Sequence, residues 1–314
     1  MDLGAHFDRE GAKLALEKFI QDRVNESKDA KETSVQYFAR LNALHEVDRQ
    51  VSNRREWKLA ALSGSEVVPE EVAFRLHGVL AKINLAPGEI AHLNAYKASS
   101  LTQRVQLVGL GSHAFDDMLL NTKVVTDIFR RHLGGQHSPV WKIGEGYGDL
   151  QMNCSCLYLT KAFNRPEREV AFGLGVDPFK KFARYKPQGY IHTAANVVKY
   201  FKRVDEEGKR VLYECFPGTF RVGDIVEVQG SVIAFPVKDG MVKMVFQMNT
   251  LILEDASFSK AAEHARAREY NPPQRPMQLK RKSWYEEEDE DMEVGGARRK
   301  FKDLRLETAH SYVG

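Results

Sequence analysis

The chain has 314 residues, and 46 Lys and Arg against 43 Asp and Glu leave a net charge of +3. Apolar residues make up 43% and charged ones 28%, a globular balance that excludes a collagen-like fibre and a wholly disordered chain. No segment reaches the roughly 20 apolar residues that span a bilayer, and the opening residues carry no basic-then-apolar leader, so neither membrane insertion nor export is expected. The three cysteines, Cys154, Cys156 and Cys215, are too few for a disulfide framework and agree with a reducing compartment.

The first 62 residues read as helix. Asp8 can cap a run in which Ala12, Leu16, Phe19, Ile20 and Val24 recur at helical spacing. A second helix is expected from near Thr33, with Val35, Phe38, Leu41, Leu44, Val47 and Val51 every three or four residues. Tyr37, Leu41, Leu44 and Val51 also fit a short coiled-coil seam, which Asp48 interrupts. Pro69 suits a helix start ahead of Val72, Leu76, Val79 and Leu80. Further helices are expected over Glu89–Lys97 and Asn121–Leu133.

From Val140 the apolar period shortens towards two. Val140–Ile143, Met152–Thr160, Glu167–Phe172, Val197–Arg203 and Arg210–Phe216 read as strands, the last two around a loop at Asp205–Gly208. That loop would set Arg203 opposite Arg210, a like-charge pair that costs stability. Ile225–Val237 and Met241–Leu253 read as a hairpin closed by Lys238-Asp239-Gly240, the chemistry of a type I turn with a G1 bulge. Pairing Val237 with Met241 puts Val226 opposite Ile252, Val228 opposite Thr250, Gly230 opposite Met248, Val232 opposite Phe246 and Ala234 opposite Met244. A helix is expected over Ala256–Arg268. After Asn271-Pro272-Pro273, the blocks Lys280-Arg281-Lys282, Glu286–Asp291 and Arg298-Arg299-Lys300 read as a disordered charged tail.

The expected fold class is α+β. A helical region spans 1–135, and an antiparallel β-domain with a closing helix spans 136–270, either an OB-like barrel or a small sandwich. The tail takes 271–314.

No motif carries chemistry. Gly144-Glu145-Gly146-Tyr147-Gly148 lacks the helix after it that a dinucleotide loop needs, since Asp149–Thr160 looks extended, and no Gly-Lys-Ser/Thr follows. Cys154-Ser155-Cys156, even with His132 and His137, lacks zinc-site spacing, and Asp116-Asp117 has no partnered nucleophile. No enzyme activity, cofactor or metal is therefore expected. Charge placement is more informative. Residues 177–222 hold ten Lys and Arg against five acids, interleaved with aromatics. Basic residues that track a backbone, with aromatic stacking platforms between them, are the means of single-strand binders. The candidate contacts are Lys199, Tyr200, Phe201, Lys202, Arg203, Lys209, Arg210 and Arg221, for single-stranded DNA or RNA. A solvated sheet face over buried aromatics is the competing reading. Lys280, Arg281 and Lys282 are the candidate nuclear-localisation residues. The alternative function is a scaffold module that dimerises or docks a partner through its N-terminal helices.

Four segments carry a resemblance: Asp177-Pro178-Phe179-Lys180-Lys181-Phe182, Asn196-Val197-Val198-Lys199-Tyr200-Phe201, Phe220–Gln229 and Leu279-Lys280-Arg281-Lys282. Together they resemble a multicopy family of proteins from mushroom-forming (basidiomycete) fungi, associated with mobile elements. The likeness covers roughly Asp177–Glu288, implies no activity and transfers no functional residue. An arginine that the family places near Asn249-Thr250 is absent here. Separately, Phe220-Arg221-Val222-Gly223-Asp224-Ile225-Val226 ahead of a long hairpin is similar to the closing strands of OB-like barrels.

Overall fold

The computed structural model describes residues 3–29, 35–37, 46–51, 54–61, 70–87, 100–133, 138–141, 143–146, 149–162, 168–237 and 240–270. Met1–Ala267 forms one compact unit, and Arg268–Gly314 forms a second that lies almost wholly outside the described residues. The expected helix over Glu89–Lys97 and the expected disordered tail beyond residue 270 also fall outside them.

The expected helical N-terminal half is not observed, because the molecule is mostly β. Helix α1 (Arg9–Asp29) is followed by strands β1 (Val35–Tyr37), β2 (Glu46–Val51), β3 (Arg54–Ala61), β4 (Glu70–Glu71), β5 (Ala73–Asn84) and β6 (Thr102–Val108). Helix α2 (His113–His132) then precedes β7 (Ser138–Trp141), β8 (Gly144–Gly146), β9 (Asp149–Leu157) and β10 (Thr160–Lys161). The short α3 (Lys181–Tyr185) leads to β11 (Tyr190–Ile191), β12 (Lys199–Glu206), β13 (Lys209–Glu214), β14 (Ile225–Pro236), β15 (Met241–Asp255) and α4 (Ser257–Tyr270). The segment 168–172, expected as a strand, is irregular, with Phe172 stacked on Phe182 and tilted against His192.

The helix expected from Pro69 fails for a physical reason. Val72, Leu76, Val79 and Leu80 fit helical spacing, but Phe74, Leu76 and Leu80 fit alternation equally well. All five are fully buried. A strand buried on both faces is apolar nearly throughout and loses its period of two.

One mixed sheet holds most of the strands in the order β13-β12-β15-β9-β6-β5-β14-β3-β2, and a direct β14–β15 pairing closes part of it on itself. The closed ring is β5-β6-β9-β15-β14. Every pairing in it is antiparallel except β9–β15, which is parallel. The expected antiparallel C-terminal β-domain is corrected on this point, since two of the five ring strands come from residues 73–108 and the sheet is mixed. Leu76, Val105, Leu107, Met152, Cys154, Val226, Val228 and Phe246 are fully buried inside the ring. Helix α2 is capped by Ser112, whose Oγ accepts from Phe115 N at 3.3 Å. Phe115 fits so tightly that a Cβ on Gly109 would lie 2.6 Å from its ring.

The long hairpin keeps the expected register from Gly230 to Pro236, with Val232 opposite Phe246 and Ala234 opposite Met244. Lys238 and Asp239 lie outside the described residues, but Gly240 has φ +68 and Val237 N donates to Met241 O at 2.8 Å. At Gly230 the register shifts by one residue, so Val228 faces Leu251 and Val226 faces Leu253. A second shift pairs Ile225 with Asp255 and leaves Glu254 as the extra residue. Gly230 is required at the first shift, where a Cβ would sit 2.1 Å from the Gln247 carbonyl oxygen.

Gly230→Ala is therefore expected to lower the unfolding free energy by about 1–3 kcal/mol through overpacking. Urea unfolding measures it, and an unchanged midpoint would show that the close approach relaxes freely.

Candidate nucleic-acid interface

The two register shifts have an electrostatic consequence. They bring Glu254 beside Glu227, both side chains all but inaccessible to solvent. Arg203 of β12 spans the two, with Nε 3.1 Å from Glu254 Oε2 and Nη2 3.5 Å from Glu227 Oε2. Arg23 of α1 brings its Nε to 3.0 Å from Glu227 Oε2, and the Gln229 amide donates to Glu227 Oε1 at 2.7 Å. His77 Nε2 lies 3.6 Å from both carboxylates, with its ring stacked on Phe19 of α1. Burial alone would raise the Glu227 carboxyl. His77, Arg23, Gln229 and Arg203 outweigh that and hold it below the ordinary carboxylate range. Burial lowers the Arg203 guanidinium, against the pull of Glu254 and Glu227.

The His77, Glu227 and Glu254 ligand atoms lie within 4.8 Å of one another, a spacing that could hold a cation. Two guanidinium groups already balance the two carboxylates, so a divalent ion would add charge to a buried neutral set. The cluster is a structural node that ties α1, β5, β12, β14 and β15 together.

Of the basic stretch, that node takes Arg203. The β12–β13 turn is Glu207-Gly208, with φ +52 and +79, a two-residue loop in place of the expected four. Arg203 consequently faces Leu212, and the like-charge pairing with Arg210 does not arise. Tyr200 is buried, and its hydroxyl donates to Gln103 Oε1 at 2.5 Å. Burial raises that phenol well above its ordinary value. Tyr200 is a core residue and offers no stacking face. Arg210 reaches Asp22 of α1 at 3.7 Å, and Arg221 is ion-paired with Glu263 of α4. Lys199, Lys202 and Lys209 are exposed and Phe201 is half-buried. Alternation puts Lys199 and Phe201 on one face of β12 and Lys202 on the other. The eight candidates thus do not form one surface. Lys280, Arg281 and Lys282 lie outside the described residues.

Other predicted features also find structural places. Helix α1 spends its apolar stripe of Ala12, Leu16 and Ile20 on the core. Cys154 and Cys156 are buried, and burial pushes the Cys156 thiol up to about 12. Both are packing residues at neutral pH. No described helix is long and apolar enough to cross a membrane.

A different surface collects polar and basic groups. On the outer side of the ring, Lys82 pairs with Gln106, Asn84 with Arg104, Arg104 with Ser155 and Gln106 with Asn153. Lys82, Asn84, Arg104, Gln106 and Asn153 line a hollow of about 230 Å³. Arg104 and Asn153 also line an adjoining hollow of about 510 Å³, with Ser155, Lys243 and the half-buried Trp141. None of the described residues lining either hollow is acidic. Among the described residues, Lys82, Arg104 and Lys243 form no ion pair, unlike Arg203, Arg210 and Arg221.

Sequence reasoning missed this face because β6 went unread. The run Thr102-Gln103-Arg104-Val105-Gln106-Leu107-Val108 does alternate, and that was the available signal. Lys82, Arg104 and Lys243 are far apart in the chain and form no cluster before the sheet aligns them.

Compared with models of known protein families, with curated proteins and with solved structures, the chain matches none.

The buried node predicts a pH dependence. Glu227 is held below its ordinary value of 4.5, so its contribution to stability is complete above that pH. It is lost as pH falls through the lower folded value. Arg203→Met should cost about 3–5 kcal/mol at neutral pH by leaving buried carboxylates uncompensated. It should also move the onset of acid unfolding to higher pH, because Glu227 loses one of the four groups that hold its carboxyl down. Urea unfolding at stepped pH checks both effects.

Proposed function

We propose that the protein is a non-enzymatic binder of single-stranded nucleic acid, DNA or RNA, through the outer face of β5, β6, β9 and β15. The observation that carries the reading is the strip, acid-free among its described residues, in which Lys82, Arg104 and Lys243 stand among the side chains of Asn84, Gln106, Asn153 and Ser155. Phosphates are neutralised by cations that no neighbouring carboxylate occupies. Amide and hydroxyl groups offer both donors and acceptors to base edges exposed by the absence of a second strand. Trp141 also lines the larger hollow, but it packs against the hydrophobic core and is assigned no stacking role. In this reading the basic residues of β12 and β13 are secondary. Arg203 holds the fold together, and Lys199, Lys202 and Lys209 add only diffuse positive potential.

Titration of labelled single strands at several salt concentrations tests the proposal. Affinity should fall linearly on a log–log plot against salt, and Arg104→Ala or Lys243→Ala should each reduce the slope by about 1. Arg221→Ala, at an already paired arginine, should leave affinity nearly unaltered. Absence of binding at about 50 mM salt, or binding indifferent to salt, overturns the reading.

A further inference from the structure

Among the described residues β13 ends the sheet, pairing with β12 alone. An open edge strand is a template for another strand unless it is blunted. β13 carries apolar groups in the open, Leu212 at 44% and Tyr213 at 46% exposure.

Its backbone orientation follows from one bond beside the strand. Cys215 N donates to Tyr200 O at 3.0 Å, so the pair Tyr200/Cys215 is hydrogen-bonded. Hydrogen-bonded pairs alternate along an antiparallel ladder. Lys202/Tyr213, Val204/Val211 and Glu206/Lys209 are therefore the bonded pairs. The N–H and C=O groups of Arg210, Leu212 and Glu214 point instead to the open edge.

We propose that β13 is a homodimerisation edge, on which a second copy of this chain adds its own β13 antiparallel with Leu212 on the two-fold axis. Outward-bonding residues must face outward-bonding residues, which a two-fold axis on any residue of the strand satisfies; axes on Lys209, Arg210 or Glu214 set a charge against its own copy, which leaves three registers. Centring on Val211 sets Arg210 against Leu212, and centring on Tyr213 sets Leu212 against Glu214. Both leave a charge opposite an apolar group. Centring on Leu212 sets Arg210 against the second copy's Glu214 at both ends, with leucine against leucine between them. On the other face it sets Val211 against the second copy's Tyr213. Opposite charges and apolar pairs each fall in register, which is how strand pairing is specified. The contact is isologous and closes after two copies. Arg210 can keep its approach to Asp22, since a guanidinium has five donors. β12 stands between β13 and β15 and pairs with β15 only over Thr250–Leu253, away from Lys243, so dimerisation along the β13 edge leaves the proposed binding face on each copy.

Sedimentation velocity on the full chain tests the pairing. The chain should sediment as a dimer, and Glu214→Arg, which sets arginine against arginine at both ends, should abolish the dimer without changing the circular dichroism. Leu212→Cys should give a reducible cross-linked dimer on mild oxidation. Its Cα atoms would be about 5.5 Å apart, within disulfide range. Arg210→Cys and the parent chain, whose cysteines do not face their own copies, should give none. A parent chain that stays monomeric at every concentration, a dimer indifferent to Glu214→Arg, or cross-linking at 210 in place of 212 overturns the proposal.

Discussion

The ion pairs of Arg203 with Glu227 and Glu254 are the constraint on which the rest of the structure depends. Two carboxylates that are nearly inaccessible to water are tolerable only with cations beside them. Those cations come from α1 and from β12, elements outside the five-stranded ring. The node therefore does more than balance charge. It seats α1 across the β5–β14 surface through Arg23 and through Phe19 on His77, and it fixes β12 against the edge of β15. An all-apolar contact could supply similar stability, but it would accept α1 in several positions along the strands.

The node exists because the long hairpin is irregular. A uniform register from the Gly240 turn would have put Val226 opposite Ile252. The shift at Gly230 removes that pairing, and the shift before Val226 releases Glu254 towards Glu227. Gly230 was legible as a place where a bend would be cheap. That the bend changes the register was not legible, because Leu251, Ile252 and Leu253 are apolar in succession and hide which of them turns inward. The turn at Glu207-Gly208 is a similar case. Two residues at positive φ suffice there, whereas composition alone suggested a longer loop.

Charge in this chain is spent twice. Arginines of the basic stretch serve internal acids, Arg203 at the node, Arg210 at Asp22 and Arg221 at Glu263. Cations with no such acid lie on three ring strands that local composition does not mark. The turn at Arg221–Asp224 is held through its backbone. Asp224 is buried, accepts from Arg221 N at 2.8 Å and takes the Ser259 hydroxyl of α4. The Gly223-Asp224 string is thus the lock between the β14 entry and the closing helix.

The sequence by itself determined the elements whose pattern is one-sided and local. These are α1 with its Ala12, Leu16 and Ile20 stripe, α4, the β14–β15 hairpin near its turn, and the presence of β12 and β13. It also showed that the net charge of +3 is a cancellation between unlike segments. Only the tertiary structure decided that residues 46–108 supply strands, that β5 and β6 close a ring with β9, β14 and β15, and which basic residues remain open to a ligand. The physical reason is the same in each case. A strand buried on both faces has no period to read, and the partner of a charge is chosen by pairing between strands distant in the chain.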